Sequence, residues 1–221
     1  MKRLNIFTGH FGSGKTEISI NYAVKIAEMG EKVSLVDIDI VNPYFCSREF
    51  KEELLKKGVR VIASDPNLSN AELMVVPGEV ASAFNDKDHK VVFDIGGDDM
   101  GALALGQYNR FFRQEEYEMY FVINNNRPLT ATLEDTENYL RAIERSSRLK
   151  VTKLISNTNL SGESTLEDVL KGDRIVTELS KKLNIPYAYT LCERSLAPKL
   201  HGKVSGEIFP IDIYMKKPWE K

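Results

Sequence analysis

Gly9-His10-Phe11-Gly12-Ser13-Gly14-Lys15-Thr16 decides the reading of this chain. The stretch satisfies the spacing G-x-x-x-x-G-K-[ST]. Glycines at those positions let the backbone curl until its N–H groups point into one concavity, a shape that suits phosphate oxygens. A lysine next in line reaches the outer phosphates, and a following hydroxyl can ligate Mg²⁺. A glycine-rich turn with no ligand would need neither Lys15 nor Thr16 in register.

The flanks agree with the loop. Arg3 to Thr8 is short and largely apolar, as a buried strand should be, and Ile20, Ala23, Val24 and Ala27 mark one face of a helix after it. Strand patterns then alternate with helical ones. Lys32–Ile38, Val59–Ala63, Val91–Ile95, Tyr117–Ile123, Val151–Ser156 and Tyr187–Leu191 read as strands. Ser47 is placed to cap a helix ending at Gly58, Pro77 to open another, and Gly30 to close the first. Leu133, Thr136, Leu140 and Ile143 share a helical face, and Ser164 with Glu167 forms a capping-box pattern before a helix that Gly172 could interrupt. Phe209, Ile211, Ile213 and Met215 alternate, which suits an edge strand despite Pro210. This order predicts an α/β fold, a doubly wound and mostly parallel sheet with helices on both faces, in one domain spanning residues 1–221.

Composition narrows the function classes. With 221 residues and a formal net charge of −2, the chain lacks the strongly basic balance of a nonspecific nucleic-acid binder. Cys46 and Cys192 stand far apart, so neither a disulfide framework nor a zinc site is expected, and a reduced cytoplasmic setting fits. No signal peptide or membrane-spanning run is expected. His10, His89 and His201 have no metal-ligand spacing.

Carboxylates supply the partners that a phosphate loop needs. Asp94 ends a β-branched apolar strand and precedes Gly96-Gly97-Asp98-Asp99. Strand C-termini line the ligand crevice of a parallel sheet, so Asp94 is the candidate metal-holding carboxylate. Gly97 offers close backbone approach to a terminal phosphate. Asp98 and Asp99 serve equally well as helix caps. Asp37 and Asp39, two apart at the end of another strand, point the same way. Asp39 is assigned to the attacking water, and Asp37 to the outer surroundings of the metal. The candidate nucleotide-binding set is Gly9, Gly12, Ser13, Gly14, Lys15, Thr16, Glu17, Gly97 and Asn157. The candidate metal set is Thr16, Asp37, Asp39 and Asp94, and the candidate catalytic set is Lys15, Asp39 and Asp94.

These residues resemble the MinD/ParA/CobQ group of P-loop NTPases, of the SIMIBI class. Gly9 to Thr16 matches its phosphate loop, and Leu35-Val36-Asp37-Ile38-Asp39 looks like its second-strand motif, whose second Asp is linked to hydrolysis. Asp94-Ile95-Gly96-Gly97 is similar to its second switch. Asn124 to Pro128 lies where the group has a loop on the γ-phosphate or partner side. Ser156-Asn157-Thr158-Asn159 resembles the segment whose Asn contacts adenine, which carries over to Asn157. The resemblance implies a sheet of about seven strands. Position 10 departs from the group: His10 stands where many members carry a signature lysine that crosses an ATP-bound dimer.

The expectation that follows is an Mg-ATP-binding protein with slow hydrolysis, whose switch loops communicate with a partner protein. A homodimer belongs to the implied partners; nucleic acid and membrane do not. The missing signature lysine equally suits an ATP-dependent ligase or kinase of the dethiobiotin synthetase or CobB type. ATP is favoured over GTP because neither Val122–Asn126 nor Ile155–Thr158 has the Lys and Asp of a guanine reader, whereas an Asn amide both donates and accepts.

Overall fold

The computed structural model describes residues 1–38, 47–63, 78–97, 99–159 and 164–215. Eight strands form one sheet in the order β3-β2-β4-β1-β5-β6-β7-β8, one more than the resemblance implies. They are β1 Leu4–Thr8, β2 Val33–Asp37, β3 Val59–Ala63, β4 Lys90–Asp94, β5 Tyr117–Ile123, β6 Lys153–Ser156, β7 Tyr187–Glu193 and β8 Glu207–Ile211. Every neighbouring pair is parallel. The helices are α1 Lys15–Glu28, α2 Lys51–Lys56, α3 Gly78–Asn85, α4 Asp99–Gln107, α5 Asn109–Phe112, α6 Leu133–Ser147, α7 Leu166–Leu183 and α8 Ala197–Leu200. Among the described residues no helix is long and apolar enough to cross a membrane.

Strand alternation builds two cores. Leu4, Ile6, Val36 and Phe93 face one side, where Phe84 of α3, Leu105 of α4, Leu140 of α6 and Val176 of α7 cover them. Phe7, Leu35 and Val92 face the other, under Ile18 and Ala23 of α1 and Leu54 of α2. Since both faces of the sheet are buried, strand interiors are apolar almost throughout. Burying each large side chain contributes about 1.5–3 kcal/mol.

Several local signals are realised one step away from their predicted place. Thr165, not Ser164, caps α7, in a reciprocal box with Asp168. Gly172 does not break that helix; a Cβ there would meet Thr158 Oγ1 at 2.1 Å, so the glycine permits helix-to-strand packing. Ser47 begins a 3-10 turn, Ser47–Phe50, and its hydroxyl donates to Asp37 Oδ2 at 3.2 Å instead of capping a helix. The tail does add an edge strand: β8 pairs β7 through Phe209–Leu191 and Pro210–Cys192. Gly30 and Gly58 close their helices with φ of 82° each. Pro77 lies outside the described residues.

Candidate functional site

β1 is central, so the loop leaving it opens between β4 and β5 at the C-terminal edge of the sheet. This is the crevice that parallel α/β sheets offer a ligand. α1 rises on one face of the sheet and α6 on the other.

Each glycine of the loop has its own reason. Gly9 has φ 150°, and a Cβ would stand 2.3 Å from the Val122 carbonyl oxygen. Gly12 and Gly14 are left-handed, at 72° and 85°. A Cβ on Gly14 would meet Asn157 Nδ2 at 2.1 Å. Between them Ser13 N–H donates to His10 O at 3.0 Å, which folds the curl. Gly14 is the N-cap of α1 and offers no side-chain cap, so the first N–H groups of that helix face the concavity. Ser13 Oγ is buried without a hydrogen-bond partner. Uncapped amides at a helix N-terminus, with its positive dipole end, fit an anion.

Lys15 is buried and folds back across the loop, its Nζ donating to His10 O at 3.1 Å. Gly97 approaches it closely: a Cβ there would lie 2.5 Å from Lys15 Nζ and 2.7 Å from Phe11 N. Gly97 thus lies against the loop, beside Lys15 and the Phe11 backbone. Thr16 is half-buried in the first turn of α1.

Asp94 and Asp37 are register partners on adjacent strands, and Phe7 of β1 is the other partner of Asp94. Both carboxylates are buried, on the face that carries α1. Ser19 Oγ of α1 donates to Asp94 Oδ1 at 3.3 Å, and Ser47 holds Asp37. Two carboxylates on one face of adjacent strands can share a cation. Among the described residues no cluster of three or more His, Cys, Asp and Glu gathers to bind a metal unaided. Mg²⁺ takes one or two carboxylates and completes its shell with phosphate oxygens and water, and the register pair supplies that number of carboxylates. Thr16, Asp94 and Asp37 are the residues that would hold it. Asp39 and Asp98 lie outside the described residues.

Glu17 is not directed at the loop. Its buried carboxylate accepts from Tyr214 N at 2.6 Å and Met215 N at 3.1 Å, tying the C-terminal segment to α1. Burial raises its pKa, and the two N–H donors partly offset that. Asn157 is buried at the loop, with Nδ2 donating to Ser13 O at 2.7 Å and N–H to Ile123 O at 2.7 Å. It therefore shapes the cradle directly.

Three further residues meet the loop: Asn124 and Arg127, in the segment that the resemblance puts on the γ-phosphate or partner side, and Tyr139, which nothing in the sequence singled out. Asn124 Nδ2 donates to Gly12 O at 3.3 Å and to Asn159 O at 3.2 Å, joining the loops after β1, β5 and β6. Arg127 Nε donates to the same Gly12 O at 3.2 Å. Tyr139 of α6 donates its hydroxyl to Gly97 O at 2.7 Å and meets His10 edge-on, with ring centroids 5.1 Å apart. His10 has its pKa lowered by burial first, with Lys15 and Arg127 adding repulsion, against a raising contact with the Phe11 backbone. The imidazole is accordingly neutral at pH 7.

No protein-family model matches the chain, and no curated protein matches it in sequence. Solved structures match it in shape. FtsY from Mycoplasma mycoides superposes with a TM-score of 0.55 at 23% identity, over 85% of this chain and 59% of its own. FtsY from Thermotoga maritima, titled a cell division protein, gives 0.55 at 20% identity, over 84% and 60%. A nucleotide-binding protein from Archaeoglobus fulgidus, solved in complex with ADP and with cobalt found in it, gives 0.52 at 16% identity, over 87% and 83%. The chain spans about 60% of the length of the FtsY structures that it matches. Identities this low speak to architecture alone: the chain shares with these structures a parallel sheet covered by helices on both faces.

Proposed function

We propose that this chain binds Mg-ATP in the Gly9–Thr16 loop and hydrolyses it slowly, a partner protein reading the nucleotide state. The observation that supports the reading most is the meeting at one sheet edge of an uncapped helix N-terminus, Lys15 against Gly97, and the register pair Asp37 and Asp94. Backbone amides of the loop would hold the β-phosphate and Lys15 the γ-phosphate. Thr16 and the two carboxylates would hold Mg²⁺, which would supply charge neutralisation of the phosphate oxygens. Asp39 is assigned to orient the water whose oxygen attacks phosphorus. The bond from phosphorus to the β–γ bridging oxygen breaks, and ADP and inorganic phosphate leave.

Two neighbours in shape were solved with different nucleotides, ADP in the archaeal protein and GDP in FtsY from Elizabethkingia anophelis. The absence of a Lys-and-Asp guanine reader near Asn157 favours adenine here. Titration calorimetry with ATP, ADP and GTP in Mg²⁺ tests the reading, with phosphate release followed in parallel. Wild-type protein is expected to bind ATP more tightly than GTP, and Lys15→Ala to lose at least about tenfold in ATP affinity, the worth of one charge-assisted contact. Equal ATP affinity in wild type and Lys15→Ala would refute it.

A further inference from the structure

Among the described residues Arg3, Arg141 and Arg194 are ion-paired, with Glu115, Glu144 and Asp212. Arg127 is set apart by its place at the loop, on Gly12 O. Among the described residues it has no carboxylate within salt-bridge distance, its side chain is exposed, and its guanidinium hydrogen-bonds to Gly12 O. The backbone beneath it is fixed. Asn124 is bonded to Gly12 and Asn159, Asn125 Nδ2 donates to Thr130 O at 2.6 Å, and Arg127 N–H donates to Asn124 O at 3.1 Å. The segment thus holds an unneutralised guanidinium against the rim of the loop. A Cβ on Gly12 would touch its Nε, Cζ and Nη2 at 2.9, 3.0 and 3.1 Å.

Lys15 enters the same loop from the other rim, beside Gly97. His10 lies within the field of both cations and carries no charge of its own at neutral pH. A bound triphosphate with several negative charges would therefore meet one lysine on the β4 side and one arginine on the β5 side.

Resting on the nucleotide-binding reading above, we infer that Arg127 is the second phosphate-neutralising cation of this site, parked on the Gly12 carbonyl and turning to the terminal phosphate when a triphosphate is bound. Its planar fork matches phosphate oxygens in two-bond geometry, and one weak carbonyl contact is little to give up. This makes Arg127 a determinant of triphosphate over diphosphate preference.

The test uses the full chain with Arg127→Ala, Arg127→Lys and Arg127→Gln, beside Lys15→Ala. ATP and ADP affinities are measured by calorimetry in Mg²⁺, with phosphate release and thermal melting followed in parallel. Arg127→Ala is expected to lower the ratio of ATP to ADP affinity by about tenfold, the worth of one charge-assisted hydrogen bond. Arg127→Lys should recover part of that loss. Arg127→Gln keeps a donor for Gly12 O without the charge, and it should behave like Arg127→Ala while melting like wild type. An unchanged affinity ratio and release rate in Arg127→Gln, with Lys15→Ala still defective, would overturn the role of Arg127 and leave the nucleotide site standing. ATP binding that survives Lys15→Ala unchanged would instead remove the reading on which it rests.

Discussion

Tyr139 and Gly97 are joined by a 2.7 Å hydrogen bond from the phenol to the glycine carbonyl, which couples α6 to the segment after β4. The same ring lies edge-on to His10, so one side chain touches both the Gly9–Thr16 loop and Gly97. Tyr139 is therefore a positioning residue for both.

Removing that phenol is expected to loosen the switch while leaving the cradle intact. Tyr139→Phe should cost about 1 kcal/mol of stability, the usual net worth of one neutral hydrogen bond. Hydrogen exchange at amides of residues 99–107 should quicken, and ADP affinity should stay within about twofold, since no phosphate contact is removed. Unaltered exchange in that segment would show that the bond does not hold it.

Gly97 itself tolerates no side chain. In Gly97→Ala the new methyl would collide with Phe11 backbone as well as with Lys15 Nζ, and the backbone cannot swing aside as a lysine can. Overpacking of this kind costs about 1–3 kcal/mol, here taken from ligand binding. ATP affinity should fall by about tenfold to a hundredfold while far-ultraviolet dichroism stays unchanged. Wild-type affinity in a folded Gly97→Ala protein would mean that Lys15 and Gly97 do not meet in the bound state.

Far from the loop, Arg3 fastens β1 to α3 and to the turn before β4. Its guanidinium donates to the carbonyls of Ala83, Phe84, Asp86 and His89, and pairs with Glu115 at 2.5 Å. Arg3→Ala strands those acceptors and leaves Glu115 to Lys87 alone, at a cost of about 3 kcal/mol, or about 9 °C in Tm for a chain of this size. Hydrogen bonding from Arg3, helped by Lys87, holds Glu115 down at about 2. Because the folded pKa lies below the unfolded one, this stabilisation is complete above roughly pH 4.5 and is lost as pH falls through about 2. Melting curves from pH 7 to pH 2 should show the wild type losing more stability below pH 4.5 than Arg3→Ala does. Parallel curves would exclude Glu115 as a source of the acid sensitivity.

The phosphate loop was legible because its chemistry is local: glycine conformation, Lys15 and Thr16 are all set within eight residues. The sheet was legible because a strand buried on both faces writes a continuous apolar run, as Val91-Val92-Phe93 does. What was hidden is set by register and packing. Nothing in the order of residues tells that Asp37 stands opposite Asp94, or that Tyr139, 42 positions beyond Gly97, reaches its carbonyl. Glu17 shows the same limit: it is adjacent to Thr16 in sequence, yet the helix turns its carboxylate towards Tyr214 and Met215. Thr165 in place of Ser164 is a one-residue shift between two hydroxyls of nearly equal capping strength.

That anchoring by Glu17 also governs where a label can be placed. A fluorophore attached at Met215 would sit beside Glu17 in the first turn of α1. Met1 is exposed and precedes β1, whose five residues carry the chain about 17 Å across the sheet before the loop begins. A label at Met1 is therefore held away from the loop by the length of β1, whereas one at Met215 rests against α1.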